Sequence, residues 1–98
     1  NQSEWIARGI AAVTGIPIDT GAMVRHKNTE TQTSKSSLER WENVNGIFEL
    51  YHAAPLTGKH ILIVDDVLTT GATTVECASC LTKIEGVRIS VLTLAIAE

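Results

Sequence analysis

The sequence HILIVDDVLTTGATT, residues 60–74, decides the fold of this chain. Ile61 to Val64 form an unbroken aliphatic run, which Asp65 and Asp66 follow and end. A continuous apolar run is typical of a strand covered on both faces, as in a parallel sheet. Small and hydroxyl residues come next, and then a helical pattern, so we predict a strand, a turn and a helix. In open α/β sheets ligands bind outside the carboxyl ends of the strands, where this turn is expected to lie.

The turn combines groups that suit a phosphosugar. Two adjacent carboxylates can accept hydrogen bonds from neighbouring hydroxyls such as a ribose diol. Backbone N–H groups in front of a helix favour an anion, and threonine hydroxyls add donors. Gly71 permits a positive φ and a close approach of a phosphate. The predicted substrate-binding residues are Asp65, Asp66, Thr69, Thr70, Gly71, Ala72 and Thr73.

The order of these residues resembles the phosphoribosyl-pyrophosphate (PRPP) motif of type I phosphoribosyltransferases. That motif has four apolar residues, two acids, two apolar residues and a Thr/Gly-rich loop. The resemblance implies that Asp65 and Asp66 hold the 2′- and 3′-hydroxyls of the ribose, and that Thr69 to Thr73 surround the 5′-phosphate. It also implies an α/β three-layer fold with a mainly parallel sheet and a lid-bearing hairpin. The alternative is a buried strand with an ordinary turn.

A second motif lies upstream: Arg25-x-Lys27-x-Thr29-x-x-Gln32-Thr33, then Glu39-Arg40-Trp41-x-Asn43-Val44-x-Gly46-x-Phe48. It resembles the competence-protein ComF branch of the same transferases, although Ser34 and Ser37 stand where a Gly and an Arg are common. The resemblance covers nearly the whole chain but not the pyrophosphate-loop region. Residues 1–98 are therefore interpreted as the C-terminal portion of a longer protein. Arg25 and Lys27 are catalytic candidates that would contact pyrophosphate; the alternative is that they are solvated loop charges.

The family resemblance implies transfer of a 5-phosphoribosyl group to a nucleophile that displaces pyrophosphate. Mg²⁺ would be bound mainly through substrate oxygens, with no metal site of the protein's own. Thr69 stands where hypoxanthine-type relatives have an Asp that faces the base, so that chemistry is not supported. The cysteine nucleophile and glutaminase domain of the glutamine-dependent amidotransferases are also absent from this chain. The second hypothesis is a non-catalytic accessory protein that senses PRPP or a nucleoside monophosphate and is related to competence and DNA uptake.

Composition sets broad limits on function. The chain has 98 residues, 44% of them hydrophobic, which suits one small domain with a core. The net charge of -3 argues against a standing nucleic-acid surface. No apolar run approaches the roughly 18 residues of a membrane helix, and no GxxxxGK[ST] phosphate loop is present. We expect a cytoplasmic protein without membrane partners, and leave a homodimer open.

The rest of the chain is predicted from local patterns. We predict a helix over 3–14, strands over 22–25, 47–51 and 88–97, and a mobile polar loop over 26–37. A capping box at Ser36 predicts a short helix that carries Trp41, and Gly86 is expected to end the helix after the turn. The last strand is expected to lie parallel to the strand before the turn.

Cys77 and Cys80 form a CxxC within the predicted helix. Their spacing with Leu81 and Ile84 is that of a buried helical stripe. A redox pair normally lies at a helix N-terminus, and zinc requires further ligands that the sequence does not pair with them. We therefore predict two core thiols, which are typical of a cytoplasmic protein.

Overall fold

The computed structural model describes residues 2–25, 41–42 and 47–97. Two α-helices, α1 (Gln2–Thr14) and α2 (Ala72–Leu81), and a 3-10 helix (Ala54–Leu56) accompany five strands. The strands are β1 (Met23–Arg25), β2 (Trp41–Glu42), β3 (Phe48–Leu50), β4 (His60–Leu68) and β5 (Arg88–Ile96). The predicted first helix and the strands corresponding to β1, β3 and β5 are confirmed to within one residue at each end. None of the described helices is both long and apolar enough to cross a membrane.

The strands form two sheets. β4 and β5 pair in parallel, from His60 opposite Arg88 to Leu68 opposite Ile96, which confirms the predicted parallel pair. The other sheet is antiparallel and has the order β1-β3-β2. β1 and β3 are antiparallel neighbours, as in the predicted hairpin. The predicted mobile loop, Lys27 and the capping box lie outside the described residues. The three-layer transferase fold stays a prediction.

Helix α2 contributes to the core between the two sheets. It contacts both β3 and β4, and the buried apolar residues come mainly from β3, α2 and the turn after α2: Ala22, Phe48, Leu50, Cys80, Leu81 and Ile84. Ile61, Ile63 and Ile89 of the parallel pair pack against this cluster. Cys80 is fully buried, Cys77 is half-buried against the core, and neither forms a disulfide, which confirms their prediction as core cysteines.

Three local predictions are wrong. β4 does not end at Val64 but continues to Leu68, because β5 pairs with Asp65, Val67 and Leu68, so both acids lie within the strand. Trp41 lies in β2, opposite Leu50, rather than on a helix, since sheet pairing overrides the local helical pattern. Helix α2 ends at Leu81, before Gly86, and a turn separates the two.

The two parallel strands begin at a contact between two glycines. Gly58 and Gly86 have φ values of 74° and 76°, and a Cβ on Gly86 would lie 3.2 Å from the Gly58 Cα. The Gly58 N–H donates to the Glu85 carbonyl at 2.9 Å, and the Arg88 N–H donates to the Lys59 carbonyl at 3.0 Å. The turns before β4 and β5 are thereby joined, so both strands start at the same level.

Candidate functional site

A cleft of about 140 Å³ lies where β4 ends and α2 begins. It is smaller than the roughly 300–1,000 Å³ of sites for drug-sized ligands, so a bound sugar phosphate would fill it and extend beyond it. Three parts of the chain contribute to it: β1, β4 and the turn that leads into α2. The lining residues are Arg25, Asp65, Val67, Leu68, Thr69, Gly71, Thr73 and Thr74.

The N-terminus of α2 forms one wall of the cleft. Gly71 is its N-cap residue, with φ 84° and ψ -2°, and no side chain caps the helix. The Ala72 N–H donates to Thr70 Oγ1 at 3.1 Å. Within the described part of the chain, the N–H groups of Thr73 and Thr74 have no backbone acceptor. These two amides and the helix dipole are therefore available to an anion.

Asp65 places a carboxylate in the same cleft. Its side chain is half-buried, and its Oδ2 accepts a hydrogen bond from Thr74 Oγ1 at 3.2 Å. Arg25 is exposed and lines the cleft as well, yet among the residues the structure describes it forms no ion pair with Asp65. A carboxylate and a guanidinium thus line one space, and each can bind the oppositely polarised part of a ligand.

Asp66 has a different environment. Successive side chains of a strand point to opposite faces, so Asp66 points away from the side that carries Asp65. It does not line the cleft. Its Oδ1 accepts from the Val67 N–H at 2.9 Å, and its backbone carbonyl accepts from Thr93 Oγ1 at 3.3 Å. The assignment of Asp66 to a ribose hydroxyl stays a prediction.

The remaining predicted site residues divide into two groups. Arg25, Thr69, Gly71 and Thr73 line the cleft, whereas Thr70 and Ala72 do not. Thr70 instead supports the turn through its bond to the Ala72 N–H. Lys27 lies outside the described residues.

Three lining residues were missed in the sequence: Val67, Leu68 and Thr74. Val67 and Leu68 were not predicted because the strand was expected to end before the two acids. Thr74 is one residue beyond the predicted phosphate loop. The available signal was its position in the first turn of the helix, where a hydroxyl can reach the preceding strand.

Cys77 lies one helical turn beyond Thr74. The pKa of the Cys77 thiol is raised from its ordinary 9.0 to about 11. Burial is the largest cause, followed by the charges of Cys80 and of the Asp65 carboxylate. The thiol therefore stays neutral near pH 7 and adds no charge beside Asp65.

We expect Cys77 to resist alkylation. A pKa of about 11 lowers the thiolate fraction at pH 7 to 8 about a hundredfold relative to the ordinary thiol, and thiolate is the reactive species. The iodoacetamide rate, followed by peptide mass spectrometry, should rise as the pH approaches 11. The urea-unfolded chain is the control. Equal rates for folded and unfolded protein at pH 8 would contradict the raised pKa.

The described residues do not form a metal cage of their own. Among them, no three His, Cys, Asp or Glu side chains lie together as a metal site. Mg²⁺ is usually bound through one or two carboxylates together with substrate phosphates. Asp65 is the lining carboxylate that could contact a metal ion carried by a phosphorylated substrate.

The parallel strand pair, its connecting helix and the polar cleft at the start of that helix define an α/β unit. The chain is similar to DNA utilization protein YhgH of Salmonella typhi, at 36% identity over 83 residues, covering 85% of this chain and 36% of that protein. The Escherichia coli protein of the same name is 35% identical over the same coverage. Competence protein F of Haemophilus influenzae is 31% identical over 96 residues, covering 97% of this chain and 42% of that protein.

These similarities make the chain a relative of ComF-type proteins. It spans 36 to 42% of the length of these curated relatives. No protein-family model matches the chain, and no solved structure matches it.

Proposed function

We propose that this chain is the PRPP-binding part of a phosphoribosyltransferase-type domain that transfers a 5-phosphoribosyl group and releases pyrophosphate. One observation carries the proposal: the fold brings Arg25, Asp65 and the Thr/Gly turn to a single cleft. Arg25 belongs to the antiparallel sheet and Asp65 to the parallel pair. The cleft thus combines a cation, a hydrogen-bond acceptor and the N-terminus of a helix. These suit the pyrophosphate, the ribose hydroxyls and the 5′-phosphate of PRPP, respectively.

Each group has a separate task in this proposal. The amides of Thr73 and Thr74 bind the 5′-phosphate, with the helix dipole behind them. Asp65 accepts a hydrogen bond from a ribose hydroxyl. Arg25 binds the pyrophosphate with a planar set of donors. Asp65 is the lining carboxylate that would contact Mg²⁺ carried by the substrate, and the ion would then neutralise part of the pyrophosphate charge.

Catalysis in this scheme depends on position and charge. The acceptor attacks the anomeric carbon, the bond from that carbon to pyrophosphate breaks, and the leaving group takes the electron pair. Asp65 and the turn hold the sugar between them, which reduces the entropic part of the barrier. Arg25 stabilises negative charge as it develops on the departing pyrophosphate.

The names of the relatives support a second candidate. "DNA utilization protein" and "Competence protein F" describe processes rather than a reaction. The second candidate is a non-catalytic accessory protein, related to competence and DNA uptake, whose cleft binds PRPP or a nucleoside monophosphate as a signal.

Pyrophosphate release distinguishes the two candidates. The intact protein is incubated with PRPP, Mg²⁺ and a panel of bases and amines, and pyrophosphate is measured with a coupled enzyme assay. Release that requires an acceptor supports the transferase. Binding of PRPP or of a nucleoside monophosphate in calorimetry, without pyrophosphate release for any acceptor, supports the sensor. The absence of binding for both ligands contradicts both candidates.

Arg25→Gln tests the pyrophosphate assignment. We expect about a tenfold loss of affinity for PRPP and less than a twofold change for ribose 5-phosphate, because only PRPP carries the pyrophosphate that Arg25 binds. Both affinities are measured by isothermal titration calorimetry. Arg88→Gln is the matched control, since Arg88 is an exposed arginine at the opposite end of the parallel pair. Equal losses for both ligands would contradict the assignment.

A further inference from the structure

Thr74 joins the phosphate end of the cleft to its sugar end. Its Oγ1 donates to Asp65 Oδ2 at 3.2 Å, and both residues are half-buried and line the cleft. Its backbone N–H has no backbone acceptor among the described residues and belongs to the first turn of α2. A single residue thus contributes an amide to the anion site and a hydroxyl to the acid.

We propose that Thr74 is a positioning residue that orients the Asp65 carboxylate for ribose recognition. The inference rests on the proposed function and extends it to a residue just beyond the predicted phosphate loop. The hydroxyl holds Oδ2 against the helix, so that Oδ1 is left to accept from a sugar hydroxyl.

The surroundings of Asp65 explain why such a donor matters. The backbone of Asp65 is already fixed by its place in β4 opposite Thr93. The rotation of the side chain is the freedom that remains, and a bond from the adjacent helix removes it. Ordering the acceptor before the ligand arrives reduces the entropic cost of binding.

The donor is also neutral, which preserves the charge of the acid. An arginine or lysine in this place would compensate the carboxylate and compete with a sugar hydroxyl for it. Thr74 and the neighbouring Cys77, whose thiol stays protonated, hold or border the acid without supplying a cation. Oδ1 of Asp65 therefore stays available to the ligand.

Thr74 contributes a backbone N–H and a side-chain hydroxyl, and one substitution can remove the hydroxyl while it keeps the N–H. Thr74→Val removes the hydroxyl and keeps the shape and the backbone N–H. Its expected effect is confined to ligands that carry a ribose. Thr74→Ser keeps a hydroxyl and is expected to retain most of the wild-type affinity. Thr74→Ala removes the hydroxyl with the best helix former, so it tests the same point should the valine variant fold poorly.

The experiment measures two ligands by calorimetry in the intact protein. For ribose 5-phosphate, we expect Thr74→Val and Thr74→Ala to lose about tenfold in affinity and Thr74→Ser to stay within threefold. For inorganic phosphate, all three variants should stay within twofold. Introduced into Asp65→Asn, the valine change should cause no further loss beyond twofold, because it acts through Asp65.

Each contrary outcome has a distinct meaning. Equal losses for both ligands, or unchanged ribose 5-phosphate affinity in Thr74→Ala, would overturn the role of Thr74 while leaving the proposed function in place. If the wild-type protein binds ribose 5-phosphate no more tightly than inorganic phosphate, the proposed function itself is overturned.

Discussion

Asp65→Asn is expected to lower the affinity for PRPP and for ribose 5-phosphate about ten- to a hundredfold. The substitution removes the charge of an acceptor that lines the cleft. Hydrogen bonds to charged groups contribute about 1.5–3 kcal/mol, and each 1.4 kcal/mol is tenfold in affinity. Calorimetric titration of the intact protein measures the change. The fold should be retained, because the Asp65 side chain is only half-buried and the residue keeps its place in β4.

Asp66→Asn is the matched control, since it is the same change one residue further along the strand. Asp66 does not line the cleft, so the expected change in affinity is less than threefold. An unchanged affinity in Asp65→Asn would refute the ribose contact. A loss in Asp66→Asn as large as in Asp65→Asn would instead show that both acids bind the sugar, as the family resemblance implies.

Gly71→Val is expected to abolish phosphate binding and to destabilise the fold. Gly71 has φ 84°, a conformation that costs a residue with a side chain about 1–3 kcal/mol, and β-branched residues adopt it least readily. No heavy atom lies within 4 Å of an added Cβ, so this cost comes from the backbone and not from a clash. The side chain would also occupy part of the cleft. Urea unfolding measures the stability, and titration with inorganic phosphate measures the binding.

Two further glycine variants separate these effects. Gly71→Asn adopts a positive φ more readily, so it should recover most of the stability while still obstructing the phosphate. Gly21→Ala places a Cβ in open space at a position without a positive φ, and should change neither quantity. Phosphate binding that survives in Gly71→Val would remove the turn from the site.

The strand and helix around the turn were predictable because their signals are local. Four aliphatic residues in a row mark β4, and a glycine with small neighbours marks the turn before α2. The same stretch supplied Asp65, Thr69, Gly71 and Thr73 as site residues, all of which line the cleft. Chemistry and conformation here depend on residues close together in sequence.

The rest depended on contacts between distant segments. Whether Arg25 reaches the turn depends on how the β1–β3 pair packs against α2, which no local pattern contains. The length of β4 is set by its pairing with β5. The sequence alone did not show that both acids belong to the strand, and therefore did not predict that Asp65 and Asp66 point to opposite faces. Trp41 pairs with Leu50 of β3 in the sheet, although its local sequence pattern is helical.

The contact between Gly58 and Gly86 has a consequence for the opposite end of the sheet. β4 and β5 each run for nine residues from this shared origin. One residue inserted between Gly58 and His60 would therefore slide β4 by a single position and turn each of its side chains to the reverse face. Asp66 would then face the cleft, and Asp65 would leave it. The number of residues between Gly58 and the cleft thus decides which of the two acids faces the cleft, although the two glycines lie at the opposite end of the sheet.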